Sequence, residues 1–390
     1  MSSIIEIKNI TKLYGGEKEK AARLLAQGAD KETVRKKTGV TAALWDVNLS
    51  IPQGKVFVII GLSGSGKSTL VRMINRLVEP TSGTILFQGN DIGELDGRGL
   101  RELRRSKVSM VFQSFGLMDN RDVLGNVAYG LEVNGVDKAE REKRAMKILS
   151  MVGLEGWEHQ KCASLSGGMR QRVGIARALA TDCPVLLMDE PFSALDPLVR
   201  QDMQFELLRI QHKLKKTVVF ITHDMDEAFK LGDRIAIMKD GRVIQVATPE
   251  EMSLHPADDY VKAFISNADK TKVLAVSSIM ITPSVLVRSS DSIRHSIRVM
   301  TQHGLSSAYV VDEDLKLQGI IGITEAVQGY REGKEVTDVV RTDVPTVRSA
   351  DLVSAIMPLA AESPFPLAVL DDEGVLAGIV TKASVLSALM

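Results

Sequence analysis

One nine-residue segment constrains the fold of this 390-residue chain more than any other part of the sequence. Residues 61–69 read Gly-Leu-Ser-Gly-Ser-Gly-Lys-Ser-Thr, the glycine-rich pattern of a phosphate-binding loop, or P-loop. The continuous apolar run 56–60 precedes it, and four apolar residues follow it at helical spacing: Leu70, Met73, Ile74 and Leu77. A buried strand, a glycine-rich turn and an amphipathic helix in this order predict a P-loop within a parallel α/β sheet.

The P-loop predicts a binding site for ATP and Mg²⁺. Its glycines let the backbone curl so that N–H groups face phosphate oxygens, and the helix adds its positive N-terminal end. Lys67 supplies a point charge for the β- and γ-phosphates, and Ser68 supplies a magnesium ligand. The predicted ATP-binding residues of this segment are Gly61, Ser63, Gly64, Ser65, Gly66, Lys67, Ser68 and Thr69.

An acidic pair follows another continuous apolar run, which predicts a second buried strand. Asp189 and Glu190 come directly after residues 185–188. We expect Asp189 to hold Mg²⁺ through water, and Glu190 to act as general base for the attacking water or to orient it. A solvated acidic strand end is the alternative interpretation, and the P-loop upstream favours the catalytic one. The pair therefore predicts turnover of the nucleotide and not only its binding.

Six motifs in their order along the chain resemble those of the ATP-binding subunits of ABC transporters. They are the P-loop (Walker A), Gln113 (Q-loop), residues 165–169 (signature), 185–190 (Walker B), 193–196 (D-loop) and His223 (switch histidine). The resemblance covers residues 1 to about 265, with Met169 in place of the commonest glutamine. It implies a P-loop NTPase fold with a RecA-like core and a helical subdomain.

The resemblance also implies a head-to-tail homodimer with two ATP molecules at its interface. Each ATP would lie between the P-loop of one subunit and four residues of the other: Ser166, Gly167, Gly168 and Asp196. Tyr14 would stack on adenine. The implied catalytic residues are Glu190, Gln113 and His223, and of these His223 would contact the γ-phosphate. The implied magnesium ligands are Ser68, Gln113 and Asp189, with Gln113 also linking the metal to a membrane partner.

The chain is predicted to contain two domains. Residues 1–268 form the ATPase domain, with a helical insertion at 17–41 and a helical subdomain at about 95–165. Beyond it, residues 310–321 align without gaps to residues 369–380. This internal repeat predicts two α+β modules, about 273–330 and 336–390, and the tail 269–390 resembles a tandem pair of CBS domains.

The insertion, the P-loop sequence and the tandem tail together resemble the glycine betaine/proline osmoprotectant importers. This resemblance implies permease subunits, a substrate-binding protein or domain, and a peripheral position on the cytoplasmic face of the inner membrane. No apolar run approaches the ~18–20 residues needed to span a bilayer. Lys plus Arg and Asp plus Glu both number 49, so a general attraction to nucleic acid is not expected.

Several alternatives stay open at the level of sequence. The chain could be a soluble, non-transport ABC ATPase, a nucleotide-sensing switch, or an importer subunit for a different small solute. The basic insertion is either a solvated helical face or a contact for anionic lipid. The tail is either a dimerisation module or a regulatory site for an adenine nucleotide, including a cyclic dinucleotide, near Thr324, Thr381, Asp312 and Asp371. Cys162 and Cys183 lack metal-site spacing and are interpreted as reduced thiols.

Overall fold

A computed structural model of the protein describes residues 2–112, 116–193, 195–266 and 268–389. The chain divides into two compact units, Met1–Asn267 and Ala268–Met390. Among the residues described, no helix is both long enough and apolar enough to cross a membrane.

The described strands of the first unit are β1 (Ser3–Tyr14), β2 (Thr41–Pro52), β3 (Val56–Ile60), β4 (Ser82–Phe87), β5 (Asn90–Asp91), β6 (Val108–Val111), β7 (Val185–Asp189), β8 (Thr217–Thr222), β9 (Arg234–Lys239) and β10 (Arg242–Ala247). Its described α-helices are α1 (Lys18–Ala26), α2 (Lys31–Thr38), α3 (Lys67–Ile74), α4 (Gly97–Glu102), α5 (Val123–Val133), α6 (Lys138–Met151), α7 (Gly167–Ala180), α8 (Pro197–Leu214), α9 (Met225–Leu231), α10 (Pro249–Leu254) and α11 (Asp259–Ile265).

Two sheets build this unit. The larger has the strand order β10-β9-β3-β8-β7-β6, and all its pairs are parallel except β9 with β10. Strands β3, β7 and β8 are buried at every residue, which explains why they read as continuous apolar runs. The smaller sheet has the antiparallel order β2-β1-β4-β5.

A β-hairpin forms one edge of the larger sheet. Strands β9 and β10 pair with Lys239 opposite Arg242. The two turn residues, Asp240 and Gly241, have φ angles of +48° and +71°, as a two-residue turn of the mirror-image type requires.

One hydrophobic core joins the two sheets to the helix that follows the P-loop. Ile7 of β1, Phe57 of β3 and Leu70 of α3 all belong to it and are all buried. The prediction that Leu77 continues the apolar face of α3 was wrong, because the helix ends at Ile74 and Leu77 is 48% exposed.

Part of the range predicted as a helical subdomain, about 95–165, belongs to the larger sheet. Strand β6 lies inside that range but pairs with β7 at the edge of the larger sheet. Leu103 and Val108 belong to the core of that sheet. Helix α5 packs against α6 and also against α7, which begins at Gly167 beyond the predicted end. The strand was missed because it is only four residues long and half of it is partly exposed.

Residues 17–41 fold as two helices, α1 and α2, between β1 and β2. The carboxylate of Asp30 caps α2 by accepting a hydrogen bond from the Thr33 backbone N–H at 2.8 Å. Gly39 ends the helix with a φ angle of +68°. Val34 and Leu25 are buried together with apolar residues of the two adjoining strands, so the insertion is anchored to the smaller sheet.

The second unit contains β11 (Leu286–Arg288), α12 (Ile293–Gln302), β12 (Ser307–Val311), β13 (Leu317–Gly322), α13 (Ile323–Arg331), α14 (Val336–Val339), β14 (Thr346–Arg348), α15 (Val353–Glu362), β15 (Leu367–Leu370), β16 (Leu376–Val380) and α16 (Lys382–Leu389). Its two three-stranded sheets, β11-β12-β13 and β14-β15-β16, share one pattern. In each, the first pair of strands is parallel and the second antiparallel. The repeat read from the sequence is thus a structural repeat.

Candidate nucleotide-binding and catalytic site

The P-loop joins the buried end of β3 to the first turn of α3. Gly66 has a φ angle of +100° and precedes the first helical residue, Lys67. A Cβ atom on Gly66 would lie 2.6 Å from the carbonyl oxygen of Ala43, so a side chain there would collide with the backbone of β2. Glycine at this position therefore serves both the turn and the packing of the loop against the smaller sheet.

A cavity of about 650 Å³ opens over this loop. It brings together eight of the predicted site residues: Tyr14, Ser63, Gly64, Gly66, Lys67, Ser68, Thr69 and Glu190. It is also lined by residues that the sequence did not point to, namely 41–43 at the start of β2 and Lys31, Glu32 and Arg35 of α2. The insertion is thus part of the wall of this cavity.

The Lys67 ammonium is held inside the loop. Its Nζ atom donates hydrogen bonds to the carbonyl oxygens of Gly61 at 2.7 Å and Leu62 at 3.1 Å. Burial lowers the pKa of Lys67, and the nearby Glu190 and Asp189 act in the opposite direction. The loop thus holds a positive charge in a fixed position at the wall of the cavity.

A buried carboxylate connects β7 to α3. Asp189 accepts a hydrogen bond from Ser68 Oγ at 2.7 Å and forms an ion pair with Arg72 Nη2 at 3.0 Å. The Ser68 hydroxyl and the Asp189 carboxylate are hard oxygen ligands side by side, which fits Mg²⁺ held together with phosphate oxygens and water. Within the described ranges, no group of three or more His, Cys, Asp or Glu residues converges, so the metal would depend on such mixed ligands.

Sequence reasoning missed the role of Arg72. It was not among the predicted site residues, but its guanidinium contacts the buried carboxylate of Asp189. The available signal was its position one helical turn after Ser68, which places both side chains on the same face of α3.

Glu190 and His223 meet at the ends of adjacent strands. Glu190 follows β7 and His223 follows β8, and their Oε2 and Nδ1 atoms lie 3.4 Å apart. Glu190 has a φ angle of +47°, a backbone conformation that a residue other than glycine adopts rarely. The carboxylate lines the cavity beside the P-loop, where a base for water activation is needed.

A second carboxylate is buried behind His223 and was not predicted. Glu227 accepts hydrogen bonds from Thr222 Oγ1 at 2.6 Å and Gln204 Nε2 at 3.0 Å. Burial raises the pKa of Glu227. These contacts tie α8 and α9 to the end of β8, so they hold the strand end that carries His223.

Tyr14 ends β1 and forms part of the cavity wall. Its side chain is 45% exposed, and Lys12 Nζ lies 4.9 Å from the centre of its ring. An aromatic ring that is partly exposed in a cavity wall can stack with a planar base.

The signature residues do not reach this cavity within one chain. Ser166 is exposed and caps α7, its hydroxyl accepting a hydrogen bond from the Met169 backbone N–H at 3.3 Å. Gly167 is open to solvent on the side where a Cβ would stand, and a Cβ on Gly168 would lie 2.8 Å from Val199. Ser166 thus presents the N-terminus of a 14-residue helix to the outside, as an anion site requires.

Asp196, like the signature residues, does not line the cavity of its own chain. The Asp196 carboxylate accepts a hydrogen bond from the Val199 backbone N–H at 3.1 Å and so caps α8. Gln113 lies outside the described residues, as does Ala194 of the D-loop.

Comparison with known proteins finds relatives that share nearly the whole chain. The sequence is 47% identical to the glycine betaine/carnitine transport ATP-binding protein of Listeria monocytogenes, covering 99% of this chain and 98% of that protein. It is 44% identical to the glycine betaine transport ATP-binding protein of Bacillus subtilis, covering 99% and 92%. It is 42% identical to the glycine betaine/proline betaine transport system ATP-binding protein of Escherichia coli, covering 100% and 98%.

Family patterns and solved structures agree with these relatives. The ABC transporter pattern matches residues 44–193, and the CBS domain pattern matches 276–331 and 336–390. One solved ATP-binding cassette, in a dimeric post-hydrolysis state bound to ADP and Pi, is 35% identical with a TM-score of 0.54, covering 63% of this chain and 98% of that one. A second, from an ABC transporter complex of Clostridium perfringens, is 29% identical with a TM-score of 0.55, covering 66% and 93%.

These matches confirm the predicted cassette fold and the CBS pair, and the named relatives are all transport proteins. The chain therefore belongs to the ATP-binding subunits of ABC transporters, which are ATPases coupled to transport, and it joins its ATPase unit to a tandem pair of CBS domains.

Proposed function

We propose that this chain powers the import of glycine betaine or a related quaternary amine by hydrolysing ATP. The observation that carries the proposal is the identity of 42–47% to betaine transport subunits over at least 99% of the chain, insertion and CBS pair included. Two copies of the chain would work with permease subunits and a substrate-binding protein or domain. The working position is peripheral, on the cytoplasmic face of the inner membrane.

The proposed mechanism assigns one task to each side chain of the cavity. Backbone N–H groups of the P-loop and Lys67 bind the phosphate chain. Ser68 and Asp189 would hold Mg²⁺, which would supply positive charge to the phosphate chain. Glu190 accepts a proton from the attacking water, and His223, 3.4 Å from it, contacts the γ-phosphate. In this scheme Gln113 completes the metal site and signals to the permease.

The second half of each site would come from the other subunit. Ser166, Gly167, Gly168 and Asp196 lie outside the cavity of their own chain, which supports a composite site at a head-to-tail dimer interface. The exposed N-terminus of α7 would then face the γ-phosphate of the ATP bound to the partner.

We expect Glu190→Gln to keep ATP binding and to lower turnover by roughly 10²–10⁴-fold, the usual weight of a general base. The amide keeps the size of the side chain but cannot accept the proton. Lys67→Ala should instead weaken ATP binding itself, because it removes the charge over the loop. Steady-state ATPase and equilibrium binding of ATP by the two purified variants distinguish these effects, and near-normal turnover in Glu190→Gln would remove Glu190 from this role.

The composite site predicts complementation between damaged subunits. Mixing Lys67→Ala with Ser166→Arg chains should give mixed dimers with one doubly damaged site and one intact site, so ATPase should rise above that of either variant alone. Lys67→Ala mixed with Glu190→Gln is the matched control, because both changes lie on the same side of the site and leave no intact site. No rise in the first mixture, in samples where subunit exchange is demonstrated, contradicts sharing.

We further propose that the outer face of the insertion contacts anionic lipid. Two of the basic residues of α2, Lys31 and Arg35, line the ATP cavity and are therefore excluded from the proposed lipid contact. Lys36 and Lys37 are exposed and do not line it. Each basic residue near an anionic membrane surface contributes about 1 kcal/mol of attraction, which salt screens.

The double substitution Lys36→Gln and Lys37→Gln should therefore alter how salt controls transport. The measurement is uptake against ionic strength in liposomes that contain anionic lipid, with wholly neutral liposomes as the control. ATPase of the purified variant should change little, since the P-loop is untouched. An unchanged salt curve in the anionic liposomes would favour a solvated helical face.

The CBS pair is proposed to bind an adenine nucleotide, such as an inhibitory cyclic dinucleotide, between its two modules. The two modules pack on each other, with Tyr309 and Ala368 in one shared hydrophobic cluster. Asp312 and Asp371 are not free for the ligand, because each accepts backbone hydrogen bonds within its own turn. Thr381 caps α16 through the Ser384 backbone N–H, which leaves Thr324, exposed at the start of α13, as the available member of the predicted set.

Removal of residues 270–390 should leave ATP-driven uptake largely intact and abolish inhibition by the nucleotide. The expected coupling between ligand and assembly is 1–3 kcal/mol, or roughly 5–150-fold in affinity. The measurement is uptake by full-length and truncated complexes in liposomes, titrated with candidate adenine nucleotides. If no nucleotide binds the full-length chain outside its ATP site, and truncation separates the subunits, the tail is a dimerisation element.

A further inference from the structure

Helix α2 of the insertion forms one wall of the ATP cavity. Lys31 and Arg35 both line this cavity together with the P-loop residues and Tyr14. They are four residues apart and thus lie on the same face of the helix. A helix outside every ATPase motif of the sequence therefore presents two cations to the space where the nucleotide is proposed to bind.

The position of this wall is set by packing. Val34, between the two cations in sequence, is fully buried in a cluster with Leu13 and Ala42 of the smaller sheet and with Val40. The Asp30 cap and the Gly39 terminus fix both ends of the helix. A helix held by a buried side chain and by both caps keeps its inner face toward the cavity, unlike a solvated helix attached only by its ends.

Lys31 reaches the same backbone atom that backs the P-loop. Its Nζ atom donates to the carbonyl oxygen of Ala43 at 3.4 Å, a long and weak hydrogen bond. That oxygen is the one a Cβ on Gly66 would approach to 2.6 Å. The ammonium and the N-terminal end of α3 therefore flank a single carbonyl group, close to the phosphate-binding loop.

Neither cation has a carboxylate partner within 4.0 Å in the part of the chain that the structure describes. The acidic residue on the same helix, Glu32, pairs with Lys36 at 2.7 Å. Burial lowers the pKa of Lys31, and Asp240 opposes this at longer range. Glu32 also lines the cavity, but its carboxylate is paired with Lys36, so Lys31 and Arg35 remain suited to an anionic ligand.

We propose that Lys31 and Arg35 bind the phosphate chain of the nucleotide, so that the insertion is part of the ATP site. The inference rests on the proposed assignment of this cavity to ATP. It extends that assignment to residues outside the six motifs of the cassette. It also makes the insertion part of the nucleotide-binding site of the ATPase domain.

The test is equilibrium binding of ATP to the purified full-length chain in the absence of Mg²⁺, so that no turnover occurs. We expect Lys31→Gln to weaken ATP binding about tenfold, the size of one charge-assisted hydrogen bond, and Lys31→Arg to retain most of the affinity. Arg35→Gln should act in the same direction. Lys37→Gln is the matched control, because it removes one charge from the exposed side of the same helix and should bind ATP as the unsubstituted chain does.

Two further readouts separate phosphate binding from a general effect on the fold. The salt dependence of ATP affinity should be shallower in Lys31→Gln than in Lys37→Gln, since an ion contact is lost. Adenosine, which has no phosphate, should bind both variants equally.

The outcomes distinguish this inference from the assignment on which it rests. Normal ATP affinity in Lys31→Gln with weakened binding in Lys67→Ala overturns the role of the insertion and leaves the ATP site in place. Equal loss of ATP and adenosine affinity in Lys31→Gln also overturns it, because the effect is then structural. ATP affinity that is unchanged by Lys67→Ala overturns the assignment of the cavity, and this inference with it.

Discussion

The buried carboxylate of Asp189 is the contact on which the geometry of the site depends. A carboxylate that is removed from water is stable only if charges and hydrogen-bond donors surround it, and here both come from α3 through Ser68 and Arg72. The end of β7 is thereby held against the helix that follows the P-loop, although β8 lies between β3 and β7 in the sheet. One electrostatic requirement thus sets the distance between the phosphate-binding loop and the two acidic residues.

The next residue shows how adjacent positions acquire different tasks. Asp189 is the last residue of β7 and points into the protein, while Glu190 adopts a φ angle of +47° and turns toward the cavity and His223. Backbone strain of this kind persists only where the surroundings enforce it. Here the Glu190 backbone N–H donates to the carbonyl of Ile221 at 3.2 Å, which keeps the chain against β8 beyond the end of the strand.

Most of the fold could be predicted from local sequence patterns. The features that could not be predicted depend on contacts between residues far apart in the sequence. Fully buried strands such as β3 and β7 have signals within a few residues, so both were predicted. The partnership of Arg72 with Asp189 joins positions 117 residues apart, and no spacing rule specifies it. The burial of Glu227 behind the switch histidine is of the same kind. In the tail, the repeat revealed two modules, but the use of Asp312 inside its own turn depends on backbone geometry.

Helix α2 is the clearest case in which charge composition alone did not show which basic residues line the cavity. Its basic residues looked equivalent in sequence, and buried Val34 divides them into two sets. The inner set, Lys31 and Arg35, lines the cavity over the P-loop, whereas Lys37 does not. Under the proposals made for the two faces, any change that lipid binding makes in nucleotide affinity is matched by an equal change that the nucleotide makes in lipid affinity, since linkage between two sites is reciprocal. The insertion would then report surface charge to the nucleotide without any contact between the two ligands.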